Sequence, residues 1–285
     1  MSTFFNPERG PRESALARIV AILWVIIMWV FTGGLITVIV MSVNEQVFGD
    51  GSPAWATMLE QLIGFAPFFA AALLVPLFYR RSIATGLTTA KTFRWNVYFH
   101  GMWTWGLLMV ATAGLGFIFA PDTLSFHFNA SAFFPALLIG LLLLPVQTGA
   151  EEIFFRGVIP QAFSQLLKHP LLITVFAAAL FASLHLANPE ANAQPIHAFF
   201  VYFLMALGWG WASYKTAGIE VSMGAHLMNN VFGLFVVGYD NSVIESVSLW
   251  SVPSVDLSSA PISTAITMTL WLLIVRRVMR KRATT

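Results

Sequence analysis

Cysteine is absent from this chain, and charge is scarce. Only 10% of the residues are Asp, Glu, Lys or Arg, against 58% hydrophobic. The first absence excludes a thiol nucleophile, a thiolate metal site and any disulfide, so cysteine usage says nothing about redox compartment. The second excludes a soluble domain of ordinary composition, in which about a quarter of the residues are charged. Two familiar protease signatures are missing as well. No G-x-S-x-G turn is present to expose a nucleophilic serine, and no H-E-x-x-H to hold zinc on one helix. The acids expected at membrane depth are glutamates, which rules out a pair of catalytic aspartates. There is no tandem repeat, linker or low-complexity tract.

What the chain does have is long apolar runs. A helix needs about 20 apolar residues to cross a bilayer. Eight segments qualify: Ala17–Met41, Ala56–Phe78, Asn96–Ala120, Ala132–Leu167, Leu171–Ala187, Ile196–Tyr214, Ile219–Tyr239 and Pro261–Val275. The fourth is long and is expected to kink at Pro145; the fifth is the shortest. Charge tests the count independently, because cytoplasmic loops are enriched in Lys and Arg. With the amino terminus inside, the inner segments hold Arg9, Arg12 and Arg18; Arg80, Arg81, Lys91 and Arg94; Lys168; Lys215; and Arg276, Arg277, Arg280, Lys281 and Arg282. With Arg156 on the fourth helix, these account for all 15 basic residues. The outer loops carry Glu45, Asp50, Asp122, Glu190, Asp240, Glu245 and Asp256, with no Lys or Arg. The fold class expected is therefore an all-α polytopic membrane protein of about eight transmembrane helices, both termini cytoplasmic. It forms one integral-membrane domain over residues 1–285. The first span is too long for a signal-peptide core and is read as retained. Phe4 and Phe5 are expected along the inner interface.

Polar residues inside the apolar segments need a reason, since a charged group at bilayer centre costs about 2.5–3.5 kcal/mol on insertion scales. Glu151, Glu152 and Arg156 lie within six positions directly after the run Leu138–Gln147. On a helix Glu152 and Arg156 are i and i+4 neighbours and can neutralise each other. Glu151 lies about 100° further round and has no such partner. This segment allows either a structural ion pair with a spare acid or a base tuned by burial. His185 is the one strongly polar group of Phe176–Ala187, and a lone histidine is often a hydrogen-bonded structural residue. His226 and Asn230 share one face of Ser222–Gly233, with Asn229 on an adjoining face; such a stripe can join helices or donate to a developing oxyanion. Taking a helix start at Leu171 puts His185 roughly 21 Å from the inner end, and a start at Thr216 puts His226 roughly 15 Å in. Glu151 reaches a matching depth of roughly 21 Å only if its helix runs through Pro160 to about Gln165, with Arg156 inside the membrane. His197, Glu220 and Glu60 are read as structural or interfacial, and His100, His127 and His169 as helix-end or loop residues.

Taken in order, these pieces resemble the CPBP family (CAAX proteases and bacteriocin processing, also called Abi), whose members resemble the type II CAAX prenyl endopeptidase. The family pattern is E-E-x-x-x-R on one helix, F-x-x-x-H on a later one, and H-x-x-x-N or H-x-x-x-D on another. It is matched by Glu151-Glu152-Ile153-Phe154-Phe155-Arg156, by Phe181 to His185, and by His226 to Asn230. The motif-bearing core spans about residues 149–233. The resemblance implies an intramembrane endopeptidase acting on a membrane-bound or lipidated protein or peptide. By it, Glu151 and His185 activate a water, His226 and Asn230 stabilise the oxyanion, and Glu152, Arg156 and Phe181 support the site. No cofactor is expected; the alternative is zinc on Glu151, His185 and His226. The bilayer is an expected partner and nucleic acid is not. The expected location is a bacterial inner (cell) membrane, crossed many times. A transporter or a non-catalytic scaffold would also place ionisable groups at depth, but no inverted repeat is evident to favour transport.

Overall fold

The computed structural model describes residues 4–8, 10–239, 242–252 and 257–280. Arg9, Asp240, Asp256, Lys281 and Arg282, placed by charge in the loops and tail, lie outside the described residues. The chain is a bundle of apolar rods. The first is α1 (Ala15–Ile27), a π-helical turn (Met28–Gly33) and α2 (Gly34–Phe48) end to end. The second is α3 (Ala54–Ile63) and α4 (Phe65–Phe78), separated at Gly64. After the short α5 (Ala84–Leu87) comes α6 (Trp95–Phe119). The next rod joins α7 (Ala130–Glu152), a π-helical turn (Ile153–Val158) and α8 (Ile159–Phe163). Helices α9 (Pro170–His185), α10 (Pro195–Thr216), α11 (Glu220–Phe235) and α12 (Ala260–Arg280) complete it.

All eight apolar segments read from the sequence are helical. Among the described residues six rods are long and apolar enough to cross a membrane: 15–51, 54–78, 95–119, 130–163, 195–216 and 260–279. Helices α9 and α11 have 16 residues each, about 24 Å, short of a hydrocarbon core of about 30 Å. The outside of the bundle is apolar, with Phe31, Leu107, Ile118, Phe119, Phe134 and Leu142 among its most exposed side chains. That surface belongs in lipid rather than water.

Pro145 lies inside α7 without ending it. The irregularity expected there occurs instead at Ile153–Val158. Pro160 explains the shift. It has no N–H for the carbonyl four residues back, and its ring collides with that carbonyl. A widened turn just before it relieves the clash, and such π turns are common at functional sites. The rod therefore continues past Arg156 to Phe163, and Arg156 is buried.

Charge marks the two ends of the bundle. At one end Glu13 accepts from Arg18 Nη2 at 2.8 Å, Arg81 donates to Gln161 at 3.0 Å, and Gln161 donates to the Thr85 carbonyl. Glu220 is clamped there by Arg94 through Nη2 at 2.6 Å and Nε at 2.8 Å. Phe4 and Phe5 are not interfacial: both are buried in the main core, Phe5 against the Tyr214 ring. At the other end Asn44 donates to Glu60, and the main chain of Glu245 to Gln61. A small sheet closes this end. Its strands β1 (Ser125–Phe126), β2 (Val237–Tyr239) and β3 (Trp250–Val252) lie in the order β1-β3-β2. β1 pairs antiparallel to β3, Ser125 opposite Ser251, and β2 pairs parallel to it, Val237 opposite Trp250.

Helices α6 and α11 approach so closely that glycine is required at the crossing. A Cβ on Gly101 would strike the Val221 carbonyl, and one on Gly224 the Tyr98 carbonyl. This crossing fixes α11, and with it His226 and Asn230, against the bundle.

Candidate active site

Three elements bring the polar residues together. The last turn of α7 carries Gln147, Glu151 and Glu152; the π turn that follows carries Arg156; α11 carries His226, Asn229 and Asn230. Helix α9 delivers His185 as its final residue. These side chains, apart from the fully buried Glu152 and Arg156, line a cavity of about 500 Å³ with Phe155, Phe181, Tyr202, Trp209 and Leu184. The arithmetic of helix depth holds for α9, where His185 is about 22 Å from the start of the helix. It fails for α11, which begins at Glu220 and reaches His226 after only about 9 Å.

The two adjacent glutamates are in different surroundings. Glu152 is fully buried. Its Oε1 lies 3.1 Å from Arg156 Nη1 and accepts from His226 Nδ1 at 2.9 Å. The Arg156 guanidinium has few directed bonds: Nη1 and Nη2 have no aligned hydrogen-bond partner, and the group instead lies over the rings of Phe181 at 4.6 Å and Trp209 at 5.7 Å. Desolvated cation–ring contacts of this kind contribute about 2 kcal/mol. Glu151 Oε1 accepts from Gln147 Nε2 at 2.8 Å. Its Oε2 has no hydrogen-bond partner among the described residues and lies 3.6 Å from His226 Nε2.

Hydrogen-bond chemistry fixes both imidazoles. His226 Nδ1 faces a carboxylate paired with Arg156, so Nδ1 carries the proton, and in the neutral ring Nε2 has the lone pair. The ring stacks on Trp209 at 4.8 Å. His185 Nδ1 lies 2.8 Å from the Phe181 carbonyl, which can only accept, so its neutral ring also leaves Nε2 as the acceptor. It is sandwiched between Phe181 at 4.1 Å and Tyr202 at 4.5 Å. No direct hydrogen bond joins His185 to Glu151 among the described residues. Asn230 Nδ2 donates to Gln147 Oε1 at 2.9 Å. At the mouth of the cavity, Glu190 accepts from Tyr202 at 2.6 Å and from the main chain of Val243. Burial and that carboxylate push the nearby Tyr239 phenol up to about 12, so it stays a neutral donor.

The zinc alternative finds no ready cage. Among the described residues no three His, Asp or Glu side chains are arranged to hold one metal ion. Each candidate ligand has one atom held by a protein partner, Glu151 by Gln147, His226 by Glu152 and His185 by the Phe181 carbonyl, which leaves Glu151 Oε2 and the two Nε2 atoms for a further partner. Glu220 and Glu60 are in ion-pair and amide contacts at the two ends. His169 caps α9, accepting from the Leu171 N–H.

Sequence reasoning missed four residues of the site. Gln147 could have been found, being a polar residue four positions before Glu151 at the end of an apolar run. The contact between Glu152 and His226 crosses from α7 to α11 and has no local signal, and neither do the rings of Trp209, Tyr202 and Trp105.

Comparison with known proteins places the chain in a family. Residues 130–232 match the family described as type II CAAX prenyl endopeptidase Rce1-like. The chain is 36% identical over 216 residues to YyaK, an uncharacterized protein of Bacillus subtilis (strain 168), a match covering 75% of this chain and 72% of that one. No solved structure matches. The matched stretch contains both glutamates, Arg156, His185, His226 and Asn230, so this multi-pass membrane protein belongs to the Rce1-like family, of the peptidase kind.

Proposed function

We propose that the protein is an intramembrane endopeptidase that hydrolyses a peptide bond in a membrane-bound or lipidated substrate, with Glu151 as general base. The observation that carries this reading is the Glu151 carboxylate in the wall of a largely apolar cavity, with its buried Oε2 unpartnered among the described residues and 3.6 Å from His226 Nε2. A water bound between Glu151 Oε2 and the acceptor Nε2 of His185 loses a proton to Glu151 as its oxygen attacks the scissile carbonyl carbon. The negative charge that forms on the carbonyl oxygen receives the second N–H of Asn230 and, when His226 is doubly protonated, its Nε2–H. Glu152, bonded to Nδ1 of that ring, supplies the countercharge for this form. As the tetrahedral carbon collapses, the C–N bond breaks and Glu151 returns its proton to the leaving amine. Glu152, Arg156 and Phe181 hold His226 and His185 in place. Every step uses the chain's own residues and one water.

The apolar lining of Trp29, Phe65, Met109, Leu184 and Met205 supports a substrate that carries a lipid or a membrane segment beside the cleaved bond. The Bacillus relative supports a bacterial cell membrane as the location. The test is cleavage of a farnesylated fluorogenic peptide, and of membrane-anchored candidates, by the purified protein in detergent. Glu151→Gln is expected to lower kcat by about 10²–10⁴, the usual contribution of a general base, with an unchanged melting temperature. Cleavage by Glu151→Gln at the wild-type rate would overturn the assignment.

A further inference from the structure

The hydrogen bonds reaching Glu151 form a chain across three elements, and its direction is set by its two ends. Trp105 Nε1 on α6 donates to Asn229 Oδ1 at 3.3 Å. Asn229 Nδ2 donates to Asn230 Oδ1 at 3.2 Å. Asn230 Nδ2 donates to Gln147 Oε1, and Gln147 Nε2 to Glu151 Oε1, at 2.9 and 2.8 Å. An amide can be turned either way, so its orientation must come from its partners. Here an indole N–H can only donate and an ionised carboxylate can only accept. Between those two ends, each of the three amides has one orientation that leaves no bond broken. Every N–H then points towards Glu151. Trp105 and Gln147 are both buried, at 3% and 4% exposure, and Asn229 and Asn230 between them line the cavity; bonds in such a chain polarise one another.

We propose that Trp105, Asn229, Asn230 and Gln147 form a one-way amide relay that positions the Glu151 carboxylate, tying Oε1 down and leaving Oε2 without a bond from the relay. Gln147 is the positioning residue in direct contact, and Trp105 sets the polarity from four hydrogen bonds away. The inference rests on Glu151 being the base. It gives the donor stripe on α11 a second role, since one N–H of Asn230 belongs to the relay and the other is left for the oxyanion. The remaining charged and titratable neighbours of Glu151 are His226 on α11, Glu152 beside it, Arg156 on the π turn and His185 on α9. None of them bonds Oε1, so the relay is that atom's own hydrogen-bond supply.

The test uses the full-length protein in detergent with Gln147→Met, which keeps length and removes both polar atoms, and Trp105→Phe. The second change keeps a ring against Trp209 and Trp271 and deletes the N–H. Two measurements are read together. One is kcat and KM on the farnesylated peptide. The other is the infrared carboxylate stretch at fixed pH, with the Glu151 band assigned by its loss in Glu151→Gln; this reports hydrogen bonding to the carboxylate even if the peptide is a poor substrate. Gln147→Met is expected to shift the assigned band and to lower kcat about ten- to hundredfold, with KM little changed. Trp105→Phe is expected to do both by less. An unmoved band and an unchanged kcat in both variants overturn the relay while a dead Glu151→Gln keeps the base. Wild-type cleavage by Glu151→Gln would remove the base reading and the relay with it.

Discussion

Two of the glutamate–arginine pairs, Arg94 with Glu220 and Arg156 with Glu152, are built in opposite ways. At the basic end Glu220 is saturated. Arg94 gives it Nε, Nη2 and its own backbone N–H, and spends Nη1 on the Thr216 carbonyl at 2.8 Å. The loop around the pair is sewn shut by the Ile219 N–H to the Leu87 carbonyl and by Thr88 opposite Gly218. At membrane depth Glu152 divides one oxygen between Arg156 and His226, its other oxygen is unpartnered among the described residues, and Arg156 leans on rings. A pair made for stability satisfies every polar atom, because each one left over costs about 1–3 kcal/mol. A pair that keeps unsatisfied atoms beside a cavity spends that energy to hold an imidazole and to keep a local charge.

The sharpest way to break the comparison is to exchange each acid for its amide. Glu152→Gln is expected to lower kcat by about 10²–10⁴, the range of a lost acid–base contribution, since it removes the carboxylate that orients His226. Glu220→Gln is expected to leave cleavage per folded molecule near the wild-type value and to lower the melting temperature. Activity and thermal unfolding measured on the same preparations separate the two. Equal loss of activity in both variants would mean that the basic end belongs to the active site.

The next effect comes from removing one cation. Arg94→Met strands Glu220, fully buried, without its partner, and breaking such a pair costs about 3–5 kcal/mol. The double change Arg94→Met with Glu220→Leu is expected to recover most of that stability, because well-packed apolar residues often replace a buried ion pair at no net cost. Thermal or denaturant unfolding in detergent checks both. A double variant no more stable than the single one would mean that the hydrogen bonds to Thr216 and the Arg94 backbone, rather than the charges, hold this end.

The fold was largely legible because its driving force is compositional. Each of the eight apolar segments contains a helix, six of the rods among the described residues being long enough to span a membrane, and the distribution of Lys and Arg anticipated two ends of opposite character. The motif residues Glu151, Arg156, His185, His226 and Asn230 could be grouped because helical spacing and the family pattern act locally. What could not be read depends on how rods cross. The Glu152 to His226 bond, the Trp105 to Asn229 bond and the stacking of Trp209 on His226 join elements far apart in sequence. The depth estimate failed at His226 because it assumed a straight helix from Thr216, whereas Ala217, in the left-handed region at φ 50°, ends α10 there and turns the chain. Pro145 looked like the kink, yet Pro160 imposes the irregularity one turn ahead of itself. Phe4 and Phe5, close to the amino terminus and beside charges, gave no sign of burial in the core.

A smaller effect tests whether rings really replace hydrogen bonds around Arg156. Phe181→Leu removes the ring face 4.6 Å from the guanidinium and the surface on which His185 lies. A desolvated contact of about 2 kcal/mol is expected to appear partly as lost stability and partly as a fall in kcat of about tenfold. The corresponding ring at the basic end, Tyr79, has the Arg81 guanidinium 5.1 Å from its centroid, where Arg81 also bonds Gln161, so Tyr79→Phe is expected to leave kcat unchanged. Equal kcat losses in the two variants would erase the distinction.

That same tyrosine gives the basic end a pH signature of its own. Tyr79 is buried, and burial, reinforced by the Glu13 carboxylate and opposed by Arg81 and Arg18, pushes its phenol up to about 12. In the unfolded chain the phenol ionises near its ordinary value of about 10. Between those values the unfolded state has lost the proton and the folded state still holds it, so the folded state binds more protons and stability falls as pH rises. The contribution is therefore intact below about 10 and is lost progressively on the way to about 12. Unfolding midpoints of the wild type and Tyr79→Phe, followed across this alkaline window in detergent, are expected to diverge in slope, with the phenylalanine variant the flatter. Parallel slopes would mean that Tyr79 reaches water more freely than its packing against Arg81 and Glu13 implies, and that the basic end is less tightly closed than its hydrogen bonds indicate.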